Sequence, residues 1–454
     1  MKKKIILAVL ILLFLLFVSS LFIYYKPYHP ITIQIKKQFS IEFKTFVRDN
    51  LFIIQEKNKK IENLEKFSLS LLNKSNNKSE NLQSNLIFKK KISKNILLTK
   101  YQLPFTARNI SNKTVAHIEN YNNKILIISG NGKLFFIDQK DIFNRNIYLS
   151  KIKTNLVNLI TDLRFYDTNK IFLNSDEISI KDMLILNNSL FLSYIKEVQD
   201  DCFNLSILKG EIDLKYIDFK TFFEFDECLS FKYLEEFNAQ QSGGRLVKYK
   251  QDKLLLSIGE FKARELAQDT SSVFGKIILI DIYTKKSKIY SSGFRNPQGL
   301  MYDIINDVVL STDHGPYGGD EVNLVKKNKN YGWPISSYGF HYDGNIRKEA
   351  PLYKSHKKYG FEEPIYFFNE SVGISEVIKI PKLFYNKDDL YFVATLKEES
   401  LYVFQLSKNN ENLKLIEKIT IGERIRDIVY NLENNVFLLI LENSPSIGVI
   451  KNIN

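Results

Sequence analysis

The sequence predicts an all-β domain carried behind an N-terminal membrane segment and a helical stalk. Three observations point there: short β-like runs paired across turn residues from Tyr101 onward, an uncharged apolar run near the N-terminus, and a lysine-rich stretch without proline or glycine between them. In a chain of 454 residues, 44% hydrophobic content with 13% aromatics is enough for a large buried core.

Lys2, Lys3 and Lys4 precede the apolar run Ile5 to Tyr25. As a helix this run would be roughly 31 Å long, sufficient to span a bilayer. A cleavable signal has a shorter apolar core and a small-x-small cleavage site. Here only Ser19 and Ser20 are small, and Leu21 to Tyr25 continue the stretch past them. The reading is an uncleaved anchor over residues 1–30, with a removed signal as the competing one. Lysines held in the cytoplasm place the rest of the chain on the extracytoplasmic, periplasmic side.

Residues 31–100 read as a helical stalk and linker. Val47, Leu51, Ile54, Ile61 and Leu64 recur at helical spacing among Lys and Glu. They fit either an amphipathic helix packed on the domain or a short coiled coil. The polar tract Asn73 to Ser84 reads as linker, and Lys89-Lys90-Lys91 as a solvated basic patch.

From residue 101 to 454 the pattern is strands. Lys124 to Ile128 and Leu134 to Ile137 flank Gly130-Asn131-Gly132, a hairpin signal. Met183 to Leu186 with Leu190 to Tyr194, Leu390 to Thr395 with Leu401 to Gln405, and Val436 to Leu441 with Ile447 to Lys451 pair similarly. Many hairpins and few convincing helices fit a sandwich, a barrel or a propeller.

Residues 1–100 hold 19 Lys+Arg against 6 Asp+Glu, so the remaining residues are formally neutral although the whole chain carries +13. A neutral domain outside the cytoplasm excludes nucleic-acid binding as the first reading. In that compartment Cys202 and Cys228 are expected to form a disulfide rather than a metal site, which would need further ligands at short spacing.

The densest chemistry lies in Gly293-Phe294-Arg295-Asn296-Pro297-Gln298-Gly299-Leu300, in Asp313-His314-Gly315-Pro316-Tyr317-Gly318-Gly319-Asp320-Glu321-Val322-Asn323, and in Asn330-Tyr331-Gly332-Trp333-Pro334. These runs closely resemble the glucose/sorbosone dehydrogenase family, soluble quinoprotein sugar dehydrogenases that use pyrroloquinoline quinone on a six-bladed β-propeller. Weaker echoes follow in the same order: Ser242 to Val247, Phe274 to Ile277, Lys397 after a strand, and Arg424-Ile425-Arg426-Asp427. The resemblance spans roughly Ile118 to Leu441 and implies a six-bladed propeller, allowing about 59 residues per blade.

Such a quinone carries three carboxylates and an electrophilic ortho-quinone, so its pocket needs fixed cations and a polarising ion. The resemblance implies that Arg295 and Asn296 contact the quinone side and that Lys397, Arg424 and Arg426 hold carboxylates, for which arginine forks are well shaped. It also places the carbonyls of Gly315 and Pro316 on a calcium ion at the cofactor, and Glu321 with the Tyr331 carbonyl on a second calcium. Each residue has a plainer reading: a strand-start salt bridge for Arg424 and Arg426, a solvated hairpin tip for Lys397, a tight turn for Gly315-Pro316, a loop hydrogen bond for His314, and core for Trp333.

One departure stands out. The family's proton-accepting histidine lies four residues before the arginine matching Arg245, and here that position is Gln241, preceded by Gln240. Glutamine accepts no proton at neutral pH, and a positioned base contributes about 10² to 10⁴-fold in rate. Glu260 is a conceivable substitute, and Glu177 places an anion near where a neutral cofactor contact would align. Two functions follow. One is a membrane-anchored, calcium-assisted quinoprotein oxidoreductase passing electrons from a sugar or other alcohol or aldehyde to an acceptor. The other is a catalytically inactive propeller that binds a carbohydrate or protein partner.

Overall fold

The computed structural model describes residues 81–104, 115–160, 180–199, 202–230, 237–345 and 347–453. They form an all-β, propeller-like array of antiparallel sheets within the unit Asn81–Phe340 and Arg347–Asn454. Three sheets have four strands each in sequence order: Gly243–Tyr249 to Ser287–Ser292, Pro297–Asp303 to Tyr366–Phe368, and Ile374–Ile380 to Leu413–Thr420. A five-stranded sheet runs from Ile180–Leu186 through Ser189–Gln199 and Cys202–Glu211 to Lys220–Glu224, with Leu229–Ser230 paired beside Cys202. The ten-stranded sheet joins the two ends of the domain. In it Ile425–Asn431, Val436–Leu441 and Ser446–Asn452 pair on to Ile96–Gln102 and Asn81–Lys91, and then to the strands from Asn146–Thr154 back to Ala116–Tyr121.

The first strands neighbour one another in a closed cycle: Ala116–Tyr121, Ile180–Leu186, Gly243–Tyr249, Pro297–Asp303, Ile374–Ile380, Ile425–Asn431 and back. Sheets covered on both faces demand strands that are apolar throughout. Val436–Leu441, all six residues buried, is such a strand. Between consecutive sheets the side chains interdigitate, as where Ile207 and Phe203 meet Leu256, Phe261, Phe274 and Ile278. Each of the four hairpins expected from the sequence is a strand pair, with Gly132 at φ +83° in the first turn.

One boundary is corrected. The stalk and linker were expected to reach Lys100, but Asn81–Lys91 and Ile96–Gln102 are strands of the large sheet. Their lysines disguised them: Lys89, Lys90 and Lys91 are solvated, as expected, while Lys100 is buried and bonded to Glu423 at 2.5 Å. Among the described residues no helix is long and apolar enough to cross a membrane. The expected anchor at Ile5 to Tyr25, the periodic segment Val47 to Leu64, and Glu177 lie outside the described residues. Cys202 and Cys228 form the expected disulfide, with Cα atoms 5.4 Å apart.

Candidate active site

The site grows from one sharp turn. Gly293 takes φ +80°, and a Cβ there would stand 2.1 Å from Asn330 Oδ1, so only glycine lets the 330–333 segment approach. Beyond it, the backbone N–H groups of Arg295 and Asn296 donate to the two oxygens of Asp313 at 2.9 and 2.6 Å. Burial pushes the Asp313 carboxyl up to about 7 despite those donors. The turn is thereby fixed, and the Arg295 guanidinium is aimed across the next loop. Its Nη1 donates to the carbonyls of His314 and Gly315 at 3.1 and 3.0 Å, and it lies over the Trp333 ring at 5.3 Å. Asn296 turns elsewhere: its Oδ1 accepts from Gly243 N at 3.1 Å, tying the Arg295 turn to the strand that follows Gln241.

The Gly315 turn is organised by Asp320, 1% exposed. Its Oδ1 accepts from Gly315 N at 2.9 Å, and its Oδ2 from Val372 N and Gly373 N at 2.8 and 2.7 Å. The carbonyl of Val372 in turn accepts from Lys397 N at 3.0 Å, so the exposed Lys397 hairpin is knit to the same turn. Both carbonyls assigned to the cofactor calcium already accept one bond, Gly315 from Arg295 and Pro316 from Ser371 Oγ at 3.4 Å. A carbonyl keeps a second lone pair, so this hard-oxygen pair fits calcium as part of a larger ligand set.

The second expected calcium position is different. Glu321 and the Tyr331 carbonyl are brought together, but across the ring of His356. Its Nε2 lies 3.2 Å from Glu321 Oε1, and its Nδ1 lies 2.8 Å from Tyr331 O and 3.0 Å from Ser336 Oγ. Burial, the largest single effect, opposes the charged imidazole, but Glu321, the Tyr331 carbonyl and Glu363 together outweigh it and the His356 pKa is raised. With a nitrogen base between the two oxygens, these residues do not fit a calcium cage as they stand. Nothing in the sequence pointed to His356, which enters the site from a loop 25 residues beyond Tyr331.

Arg424 and Arg426 flank the start of strand Ile425–Asn431. Their Nε atoms donate to separate oxygens of Glu442, fully buried, at 2.7 and 2.5 Å, and Arg426 Nη1 donates to Gln298 Oε1 at 3.0 Å. The plain salt-bridge reading is therefore correct as far as Glu442. One carboxylate also aims two guanidinium groups, and their remaining edges stay partly exposed. Like Arg295, both arginines lie close enough to His314 to act on it electrostatically. Burial pushes the His314 pKa down to about 4, and Arg295, Arg426 and Arg424 push in the same direction. His314 is therefore neutral near pH 7, and its backbone N–H donates to Asn296 O at 3.2 Å.

Gln241 ends the short turn Ala239–Gln241, capped by Asn238. With its amide oriented to satisfy both neighbours, the nitrogen donates to Glu260 Oε1 at 2.6 Å and the oxygen accepts from Arg295 Nη2 at 3.1 Å. Glu260 is fully buried, and its Oε2 has no hydrogen-bond partner among the described residues. Burial pushes its carboxyl up to about 7, with Arg295 pulling the other way. The position expected to hold a base thus holds an amide, and a titratable carboxyl stands directly behind it. Chemically, the site presents cations from separate loops, an oxygen-rich turn and two acids of near-neutral pKa, Asp313 and Glu260.

A propeller-like domain with a cation-lined loop site of this kind defines the class, and comparison with known proteins gives the family. A profile described as Glucose / Sorbosone dehydrogenase matches residues 176–448. Aldose sugar dehydrogenase YliI of Escherichia coli (strain K12) is 30% identical over 279 residues, covering 56% of this chain and 71% of that protein. The chain belongs to the glucose/sorbosone dehydrogenase family. The fold is shared with the apo-form of the soluble aldose sugar dehydrogenase from Escherichia coli, at TM-score 0.59 and 22% identity over 75% of this chain and 96% of that one. It is shared too with the PQQ-bound form of aldose sugar dehydrogenase from Streptomyces coelicolor, at TM-score 0.53 and 15% identity over 78% and 98%.

Proposed function

We propose that this chain is a quinoprotein oxidoreductase, acting on a sugar or another alcohol or aldehyde with pyrroloquinoline quinone (PQQ). The observation that carries the reading is that Arg295 binds the His314 and Gly315 carbonyls while Arg424 and Arg426, both aimed by Glu442, act electrostatically on the same His314; Lys397 joins them on the resemblance alone. A tricarboxylate fits that wall of cations. PQQ would supply an electron-accepting quinone; the protein's part is to bind and orient it. Arg424, Arg426 and Lys397 would hold carboxylates, Arg295 would face the quinone side, and Asn296 would support that turn through Gly243. Calcium is proposed at the Gly315 and Pro316 carbonyls alone, with the His356 imidazole taking the second cation position.

The same reading takes the large sheet as two blades joined through residues 81–102, making six, and keeps the N-terminal anchor and the extracytoplasmic location. A second reading is favoured by Gln241: a propeller that binds without turning over. Calorimetric titration of the full chain with PQQ, with and without calcium, tests the pocket. Saturable binding lost in Arg424→Ala and Arg426→Ala supports it; equal binding by both variants and the parent contradicts it. A loaded protein inert toward every sugar and alcohol would leave the binding reading standing.

A further inference from the structure

Apart from the loop site, the ring of first strands encloses a second constellation. His117, Asp182 and Asp427 stand on Ala116–Tyr121, Ile180–Leu186 and Ile425–Asn431, which are neighbours in the closed cycle. They are 2%, 2% and 4% exposed, and one ligand atom from each lies within 4.8 Å of the others.

We propose that His117, Asp182 and Asp427 hold one divalent transition-metal ion that pins the two ends of the domain together. The first support is His117 itself. Neither ring nitrogen has a hydrogen-bond partner among the described residues, although Nδ1 points at Asp427 Oδ2 from 3.6 Å, beyond hydrogen-bond reach. A buried imidazole so placed is costly, and a metal bond would satisfy one nitrogen. The second is geometry. Ligands at about 2.0–2.2 Å from one ion are about 3.0–4.4 Å apart, so the observed spacing needs only a small contraction.

The third support is charge. Arg245, 8% exposed, is enclosed by three carboxylates: Nη1 donates to Asp182 Oδ1 at 2.7 Å and Asp427 Oδ1 at 2.9 Å, and Nη2 contacts Glu376. With all three carboxylates ionised, one guanidinium leaves two negative charges without a partner, which a divalent ion would balance. The rival balance is protonation of two of the three carboxyls, and it leaves both ring nitrogens of the buried His117 without a hydrogen-bond partner among the described residues. The carboxylates are also held in place: Leu246 N donates to Asp182 Oδ2 at 2.7 Å, and Ile118 N to Asp427 Oδ2 at 2.9 Å. Such outer bonds fix metal ligands and leave Asp182 Oδ2 and Asp427 Oδ2 a second lone pair each, while Asp427 Oδ1 already accepts from Arg245 and Ile428 N. An imidazole with two carboxylates suits zinc, manganese or iron(II) rather than calcium.

The full chain, stripped with a chelator, is dialysed into excess calcium and then loaded with Zn²⁺ or Co²⁺. Excess calcium saturates any oxygen-only site, and the assay involves neither quinone nor turnover. The expected result is one retained ion per chain, a higher melting temperature than in calcium alone, and Co²⁺ d–d absorption bands. His117→Gln, which sacrifices no hydrogen bond, should keep the calcium-only melting temperature and lose affinity by about 100-fold or more. Less than about one-tenth of an ion per wild-type chain, or unchanged affinity in His117→Gln, overturns the proposal. Should that variant not fold, zinc-edge X-ray absorption of wild type decides: one imidazole among oxygen ligands supports the site, and any other ligand set overturns it.

Discussion

With Gln241 where the family's base is expected, the titratable group nearest Arg295 on that side is Glu260, one side chain deeper. Replacing Gln241 with His restores a proton acceptor. In PQQ-loaded protein Gln241→His should raise turnover of an aldose by about 10² to 10⁴-fold over the parent, measured with an artificial electron acceptor. No gain would remove proton acceptance as the missing element. Glu260 also leaves a signature in stability. Its folded pKa of about 7 is raised above the ordinary 4.5, so the native state keeps a proton that the unfolded chain has already released. The resulting stabilisation is fully present below about pH 4.5 and is lost as pH rises through about 7, roughly 3 kcal/mol in all. Urea midpoints at pH 5 and pH 8 should show a fall to which Asp313, also raised to about 7, contributes, and Glu260→Gln should make it smaller by the Glu260 share without abolishing it. The sequence exposed the Gln241 departure, since a motif fixes its own spacing. It could not show Glu442 or His356, which reach the site only through the pairing of distant strands and loops.

At the scale of elements, the turns were legible where glycine or a period-two run marked them and illegible where charge masked the pattern. Gly130 to Gly132 announced its hairpin, whereas the lysines of residues 89–100 concealed two strands. The Gly293 turn shows why its motif is strict. Gly293→Ala places a Cβ 2.1 Å from Asn330 Oδ1 and 2.6 Å from Gly332 N, at a φ of +80° that disfavours a side chain. A loss of about 2 kcal/mol or more, read from denaturant midpoints, is expected together with weakened PQQ binding. The Cys202–Cys228 bridge spans a sequence separation of 26, joining the strand Cys202–Glu211 to the segment that precedes Leu229–Ser230. Cys202→Ser with Cys228→Ser should cost about 3.5 kcal/mol on loop-entropy grounds. An unchanged melting temperature would show that sheet pairing alone holds this segment.

On the scale of the whole molecule, closure is made by the strand segments at residues 81–102 and 446–452, while Asp427 and His117 meet in the ring of first strands. The class was readable because hairpins repeat along the chain. The ring itself was not, since His117, Asp182 and Asp427 are single residues scattered over some three hundred positions, with no local pattern to mark them. The proposed function turns on whether Arg295, Arg424, Arg426 and Lys397 form a tricarboxylate pocket beside the Gly315 turn. A crystal of the full chain soaked with PQQ and calcium answers this. Quinone density is expected over the Arg295 turn, with carboxylates on Arg424, Arg426 and Lys397. A fully loaded crystal with the quinone elsewhere, or none bound at saturating concentration, would contradict it.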